Sequence, residues 1–138
     1  MIGRCFCGNV AFEFFAPLSG IELCHCSRCQ HASGAPFVAE FRVEAGQFRW
    51  LRGKELIAFF DAPILRDPPA YRRSFCKTCG TAVPSVFENN PTVAIPTGLV
   101  EGDLETSAMD HIWIQQKANW LNLSELGTLP QYKGDPPH

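Results

Sequence analysis

The sequence predicts a mainly β fold, a small sandwich or barrel stapled by metal-binding cysteines, with one short helix after the central cysteine cluster. Three observations predict it. Apolar residues alternate at a period of two in several short runs, as along strands with one buried face. Eleven Gly and eleven Pro in 138 residues interrupt the chain too often for long helices. Seven cysteines fall into three tight clusters with none left over: Cys5 and Cys7, then Cys24, Cys26 and Cys29, then Cys76 and Cys79. With 46% hydrophobic residues, the chain is expected to form one domain with its own core over residues 1–133. Gly134 to His138 is expected to be a frayed tail.

Val10, Phe12 and Phe14 alternate with Ala11 and Glu13, which predicts a half-buried strand leading out of the first cysteine pair and broken by Pro17 to Gly20. Between Cys24 and Gly34, residues such as Ser27, Gln30 and Ala32 suit one or two helical turns, closed by Gly34. The triplet then sits at the helix start, where unsatisfied amides favour thiolate over thiol. Phe37, Ala39, Phe41 and Val43 mark another strand face, and Phe48 and Trp50 precede a turn at Gly53 and Lys54. Leu56 to Phe60 reads as a short strand, and Asp61 to Ala70, with three prolines, as a surface loop. Tyr71, Arg73 and Phe75 lead into the last cysteine pair. Ala82 to Phe87 and Thr92 to Ile95 flank Asn89, Asn90 and Pro91 and read as a hairpin. Leu99 to Asp110 reads as loop, and Ile112 and Ile114, alternating with His111, Trp113 and Gln115, as a last strand. Trp50, Trp113 and Trp120 are expected in the core, with Trp113 also able to line a site beside His111.

A formal net charge of −2, with no local run of Lys and Arg, argues against a nucleic-acid partner. The first ten residues enter the cysteine motif at once, leaving no room for a secretory leader, and no apolar stretch is long enough to span a bilayer. No membrane partner is therefore expected, and the setting is expected to be cytoplasmic and reducing. The apolar strands can pack within one chain or across a homodimer.

Thiolates two or three positions apart on a turning backbone converge on one point, the geometry of Zn2+ with tetrahedral sulfur ligands at ~2.3 Å. The simplest partition of seven is four plus three. Cys5, Cys7, Cys76 and Cys79 make a closed, structural zinc site, and Cys24, Cys26 and Cys29 leave a fourth position open to a small molecule. One structural zinc and one catalytic, labile zinc are thus expected. A competing partition lends the triplet a fourth ligand from a pair but strands a lone cysteine. A disulfide framework is disfavoured by the odd count and the reducing setting.

Three thiolates leave a zinc site near −1 net charge, a weak Lewis acid poorly suited to hydrolysis. A soft thiol substrate suits such a site, and a thiolate held beside a carbonyl carbon favours carbon–sulfur bond formation. The catalytic candidates are Cys24, Cys26 and Cys29 with His25 between two of them and His111 on the strand face opposite Ile112 and Ile114. Each histidine has a plainer reading, His25 as a solvent-facing turn residue and His111 as a satisfied structural histidine. Arg28, Arg72, Arg73 and Lys117 read as solvated surface charges that could instead hold the carboxylates of an anionic substrate.

The order C-x-C-G, C-H-C-x-x-C, F-C-x-x-C-G-T and H-I-W-I-Q-Q-K-A-N-W resembles the glutathione-dependent formaldehyde-activating enzyme family, also called the centromere protein V domain family, from Gly3 to Trp120. The chain departs from the resemblance at Asn119, where proline is expected. The resemblance implies an Mss4-like, zinc-dependent β architecture in which Cys5, Cys7, Cys76 and Cys79 match structural ligands and Cys24, Cys26 and Cys29 catalytic ones. It implies a carbon–sulfur lyase or synthase acting on glutathione and formaldehyde to give S-hydroxymethylglutathione. The alternatives are a non-catalytic zinc-stabilised binding module, as Mss4-like proteins that bind small GTPases provide, and a redox sensor whose thiolates oxidise and eject zinc.

Overall fold

The computed structural model describes residues 1–62, 71–133 and 135–137. It is mainly β, with one α-helix among those residues and three small sheets. The first sheet orders β1 (Ile2–Arg4), β2 (Ala11–Phe14) and β5 (Phe48–Arg52), all antiparallel. Its registry sets Phe12 opposite Gly3 on one side and Trp50 on the other. A side chain at Gly3 would place its Cβ 2.2 Å from the Phe12 ring, so only glycine lets that ring lie across the strand.

The second sheet orders β10 (Ala108–Ile112), β3 (Ile21–Cys24), β4 (Val38–Glu44) and β9 (Thr92–Pro96). Phe41 pairs with Ile95 and Val43 with Val93, so four fully buried apolar residues from two strands share one face. That face meets Phe12 and Phe14 of the first sheet, and the Phe14 and Phe41 rings lie 5.3 Å apart. Phe48 and Trp50 close the end of this core with an edge-to-face contact at 5.0 Å.

The third sheet orders β6 (Ile57–Asp61), β7 (Arg72–Cys76) and β8 (Ala82–Val83). A separate small core of Cys5, Val10, Cys76 and Val83 joins it to the first sheet. The helix, α1 (Ser27–Ser33), ends as the sequence predicts: Gly34 is at φ 70, and its amide donates to the Gln30 carbonyl at 2.8 Å. No helix among the described residues is long and apolar enough to cross a membrane.

Several expectations are corrected. Ala82 to Phe87 and Thr92 to Ile95 do not form a hairpin: β8 pairs with β7 and β9 with β4, in different sheets. Pro84, lacking an amide hydrogen, follows β8 directly, and the apolar register of β9 matches β4. The expected loop from Leu99 to Asp110 ends in β10, which runs parallel to β3. That strand stops at Ile112, because Trp113 takes a left-handed φ of 57 and turns Ile114 into a 3-10 turn. β1 and β3 were not foreseen, being short and poor in alternation. Trp50 is half-buried as expected, but Trp120 is 70% exposed and Trp113 sits at the surface. Asp61 closes β6, whereas residues 63–70 of the expected loop, and Gly134 and His138 of the expected tail, lie outside the described residues.

Candidate metal and thiol site

Cys5 follows β1 and Cys76 closes β7, so the two outer cysteine pairs meet where the first and third sheets join. Their four sulfurs lie within 4.8 Å of one another. Cys7 Sγ is 3.6 Å from Cys5 Sγ and 3.9 Å from Cys76 Sγ, against the ~3.8 Å edge of a sulfur tetrahedron around zinc. The Val10 amide donates to Cys5 Sγ at 3.4 Å. The Thr81 hydroxyl lies 3.2 Å from Cys79 Sγ, and this hydrogen bond, helped by backbone amides, brings the Cys79 thiol down to about 5. The Cys76 thiol is lowered too, while that of Cys7, crowded by the other sulfurs, is pushed up to about 11; four sulfurs in tetrahedral spacing fit a soft divalent cation such as zinc.

The triplet is built by three local features. Cys24 ends β3, Cys26 is the N-cap of α1 with its sulfur accepting the Cys29 amide at 3.3 Å, and Cys29 lies in the first helical turn. All three residues are buried against Val38, Tyr71 and Ile112, with sulfurs within 4.8 Å of one another. The Cys29 thiol is pushed up, first by its hydrogen bond with Cys24 and then by burial. Three buried thiols crowded together ionise only with a cation among them, so the donor set itself fits a metal ion. No further His, Cys, Asp or Glu joins the trio among the described residues. All seven cysteines are free of disulfides.

Of the two predicted histidines, His25 is not the solvent-facing turn residue of its plainer reading: it is fully buried, packed on Phe37 at 5.1 Å. Its Nε2 lies 2.8 Å from Nδ1 of His111, which is exposed, so the two rings form a path from the buried loop to solvent. Burial first, then the charges of His111 and Lys117, lower the His25 pKa and keep its ring neutral. The other His25 nitrogen, Nδ1, is buried without a hydrogen-bond partner among the described residues.

Sequence reasoning missed the residues that clamp this loop. Gln30 donates to the carbonyls of His25 at 2.7 Å and Gln116 at 2.9 Å, while Gln116 Oε1 accepts the Ser27 amide at 2.7 Å. The closing box H-I-W-I-Q-Q-K carried a signal for Gln116, since a polar pair after an apolar strand suits capping. Tyr71, which the alternation places only on a strand, packs against the triplet, and burial above all, with Cys29 beside it, raises its pKa, so its hydroxyl stays protonated. Glu40, opposite Glu22 across β3 and β4, has its pKa raised by burial.

The expected solvated cations are all half-buried. Lys117 donates to the carbonyls of Ala118 at 3.0 Å and Leu121, locked in its own loop. Arg72 pairs with both carboxylate oxygens of Asp61, at 2.7 and 2.9 Å, and lies against the rings of Phe59 and Phe87. Arg28 lies over the Tyr71 ring at 5.4 Å, and Arg73 donates to the Ala32 carbonyl.

No curated protein matches the chain. Among solved structures, a crystal structure of a Rhodobacter sphaeroides protein from a structural-genomics programme is similar, with 22% identity and a TM-score of 0.57. The match covers 79% of this chain and 100% of that one, a likeness of fold. A family model described as glutathione-dependent formaldehyde-activating enzyme matches residues 1–116, which hold all seven cysteines and the two candidate histidines, His25 and His111. With both cysteine groups assembled inside that span, the chain belongs to the glutathione-dependent formaldehyde-activating enzyme family.

Proposed function

We propose that this chain is a carbon–sulfur lyase that adds a small thiol, glutathione, to an aldehyde such as formaldehyde, giving S-hydroxymethylglutathione. Cys24, Cys26 and Cys29 would hold a catalytic zinc, and Cys5, Cys7, Cys76 and Cys79 a structural one. Family membership supports the reaction. The observation that carries the site is the buried trio of sulfurs, which no fourth ligand joins among the described residues.

When bound, zinc supplies positive charge that keeps a thiol ionised at neutral pH. The rest falls to the chain. Burial of the triplet excludes water, and its three negative ligands make hydrolysis unfavourable. The Tyr71 ring, packed against the three sulfurs with its hydroxyl kept protonated, places a neutral donor beside them rather than a second negative charge. In the addition, the thiol sulfur bonds to the carbonyl carbon, the carbonyl π pair moves to oxygen, and that oxygen takes one proton. The proton given up by the thiol returns through a nitrogen of His25, with His111 exchanging protons with solvent at the outer end of the pair.

The test is metal stoichiometry measured with and without glutathione, beside NMR of formaldehyde consumption. The proposal expects two zinc ions per chain and thiol-dependent loss of the formaldehyde signal. One zinc per chain, with Cys24, Cys26 and Cys29 all modifiable and no turnover, overturns it.

A further inference from the structure

We propose that Tyr71 is a further catalytic residue, its hydroxyl donating a hydrogen bond to the aldehyde oxygen as the carbon–sulfur bond forms. The assignment rests on the thiol-addition reading and names the group that meets the charge developing in that step. The oxygen becomes negative beside three sulfur ligands, so it needs a donor that brings no negative charge of its own.

Position singles out Tyr71. Of Val38, Tyr71 and Ile112, which pack against the triplet, it is the one whose side chain can donate a hydrogen bond. It also lines two cavities, of about 290 and 390 Å³, and Val38 lines the first of them, which sets that cavity beside the sulfurs. Either volume far exceeds the ~30 Å³ share of one water molecule, so a one-carbon aldehyde fits beside a thiol chain. The other hydroxyls of the first cavity are engaged elsewhere. Ser33 donates to the Cys29 carbonyl at 2.7 Å, Ser74 and Ser85 bond each other at 2.7 Å, and Thr92 donates to Asn90 Oδ1 at 3.4 Å. Glu40 lines the same cavity, but it is paired with Arg42 at 3.5 Å, and an ionised carboxylate repels an alkoxide.

The Tyr71 hydroxyl keeps its own proton throughout. Sulfur bonds to the carbonyl carbon, the π pair moves to oxygen, and Tyr71 hydrogen-bonds that oxygen. The proton that finally stays there is the one the thiol gave up, returned through His25. An alkoxide is a stronger acceptor than the carbonyl it replaces, so the contact strengthens as the barrier is climbed and raises kcat rather than substrate affinity.

The experiment uses the full metal-loaded chain, Tyr71→Phe, which keeps the ring, and Glu40→Gln. Formaldehyde turnover with glutathione is followed by NMR, and bound zinc is counted in each. Loss of one such donor predicts kcat lower by about 10²-fold to 10³-fold in Tyr71→Phe, with the KM for glutathione and the zinc content retained. Glu40→Gln should keep most of the parental kcat. An unchanged kcat in folded Tyr71→Phe overturns the assignment, as does a rise in the KM for glutathione alone or a loss of kcat that tracks a loss of zinc. Loss of kcat in Glu40→Gln with Tyr71→Phe unaffected moves the donor to Glu40 and overturns it too. If Tyr71→Phe fails to fold, 3-fluorotyrosine at position 71, a stronger donor of nearly the same shape, should raise kcat at neutral pH, and an unchanged kcat overturns the assignment. Absence of turnover in the parent chain instead overturns the thiol-addition reading, and this assignment with it.

Discussion

At the scale of single residues, Cys26 does two jobs that substitution can separate. Its sulfur is a member of the buried trio and also caps α1 by accepting the Cys29 amide. Serine is among the strongest N-cap residues, so Cys26→Ser keeps the cap while removing a soft metal donor. The expected result is a melting temperature within about 5 °C of the parent, since a preserved cap leaves a deficit near ~1 kcal/mol. Zinc content should fall by one ion, and turnover should vanish. A variant that unfolds would assign the triplet a structural role. His111 allows a different separation, because its ring is exposed, bonded to His25, and not one of the grouped metal ligands among the described residues. His111→Phe should leave metal content unchanged and lower stability by about 1–3 kcal/mol, because the buried His25 loses its ring hydrogen bond, while lowering kcat by about 10²-fold or more, the usual cost of losing a proton relay. An unchanged kcat would reduce the pair to a packing contact.

At the scale of elements, the triplet depends on how α1 is fastened to the turn after β10. Gln30 reaches two carbonyls, one on either side of that junction, and Gln116 returns a bond to the Ser27 amide. Gln30→Ala should cost about 1–2 kcal/mol, one part-buried hydrogen bond to the His25 carbonyl and one exposed bond to that of Gln116, which water can replace. Zinc should leave the triplet faster under chelator competition while the tetrad keeps its ion, and equal release from both sites would contradict the clamp. Much of this element-level picture was legible in the sequence. Phe12 and Phe14, and Phe41 and Val43, declared their faces by alternation, and Gly34 announced the helix end. What alternation could not supply was partnership. Val93 and Ile95 read as a strand, yet nothing local says that they pair with β4 rather than with Ala82 and Val83, because register is decided by matching apolar faces across long separations. The same limit applies to the site: cysteine spacing revealed both groups, but Tyr71, Gln30 and Gln116 reach the triplet only through folding, and Trp113 escaped the strand reading through its left-handed backbone.

At the scale of the molecule, the two cysteine groups hold different parts of the chain, and this predicts an order of assembly. The tetrad joins Cys5 and Cys7 to Cys76 and Cys79 across a long stretch of sequence, and its small core is the meeting point of the first and third sheets. The triplet draws its ligands from six consecutive positions, Cys24 to Cys29, so losing its ion opens no long-range connection. Closing a long loop removes far more chain entropy than closing a short one, and a structural zinc site contributes its binding free energy directly to folding. Cys76→Ser should therefore lower the melting temperature by more than about 10 °C, as a loss of several kcal/mol in a chain of this length implies. Metal-free protein titrated with zinc should show the same hierarchy. The first equivalent should restore near-UV circular dichroism from the Phe12, Phe48 and Trp50 cluster, and thiol-dependent turnover should appear only with the second. Turnover returning before the aromatic signal, or the two rising together through a single transition, would mean that the triplet rather than the tetrad organises the fold. In that case Cys26→Ser and Cys76→Ser would exchange their effects on stability.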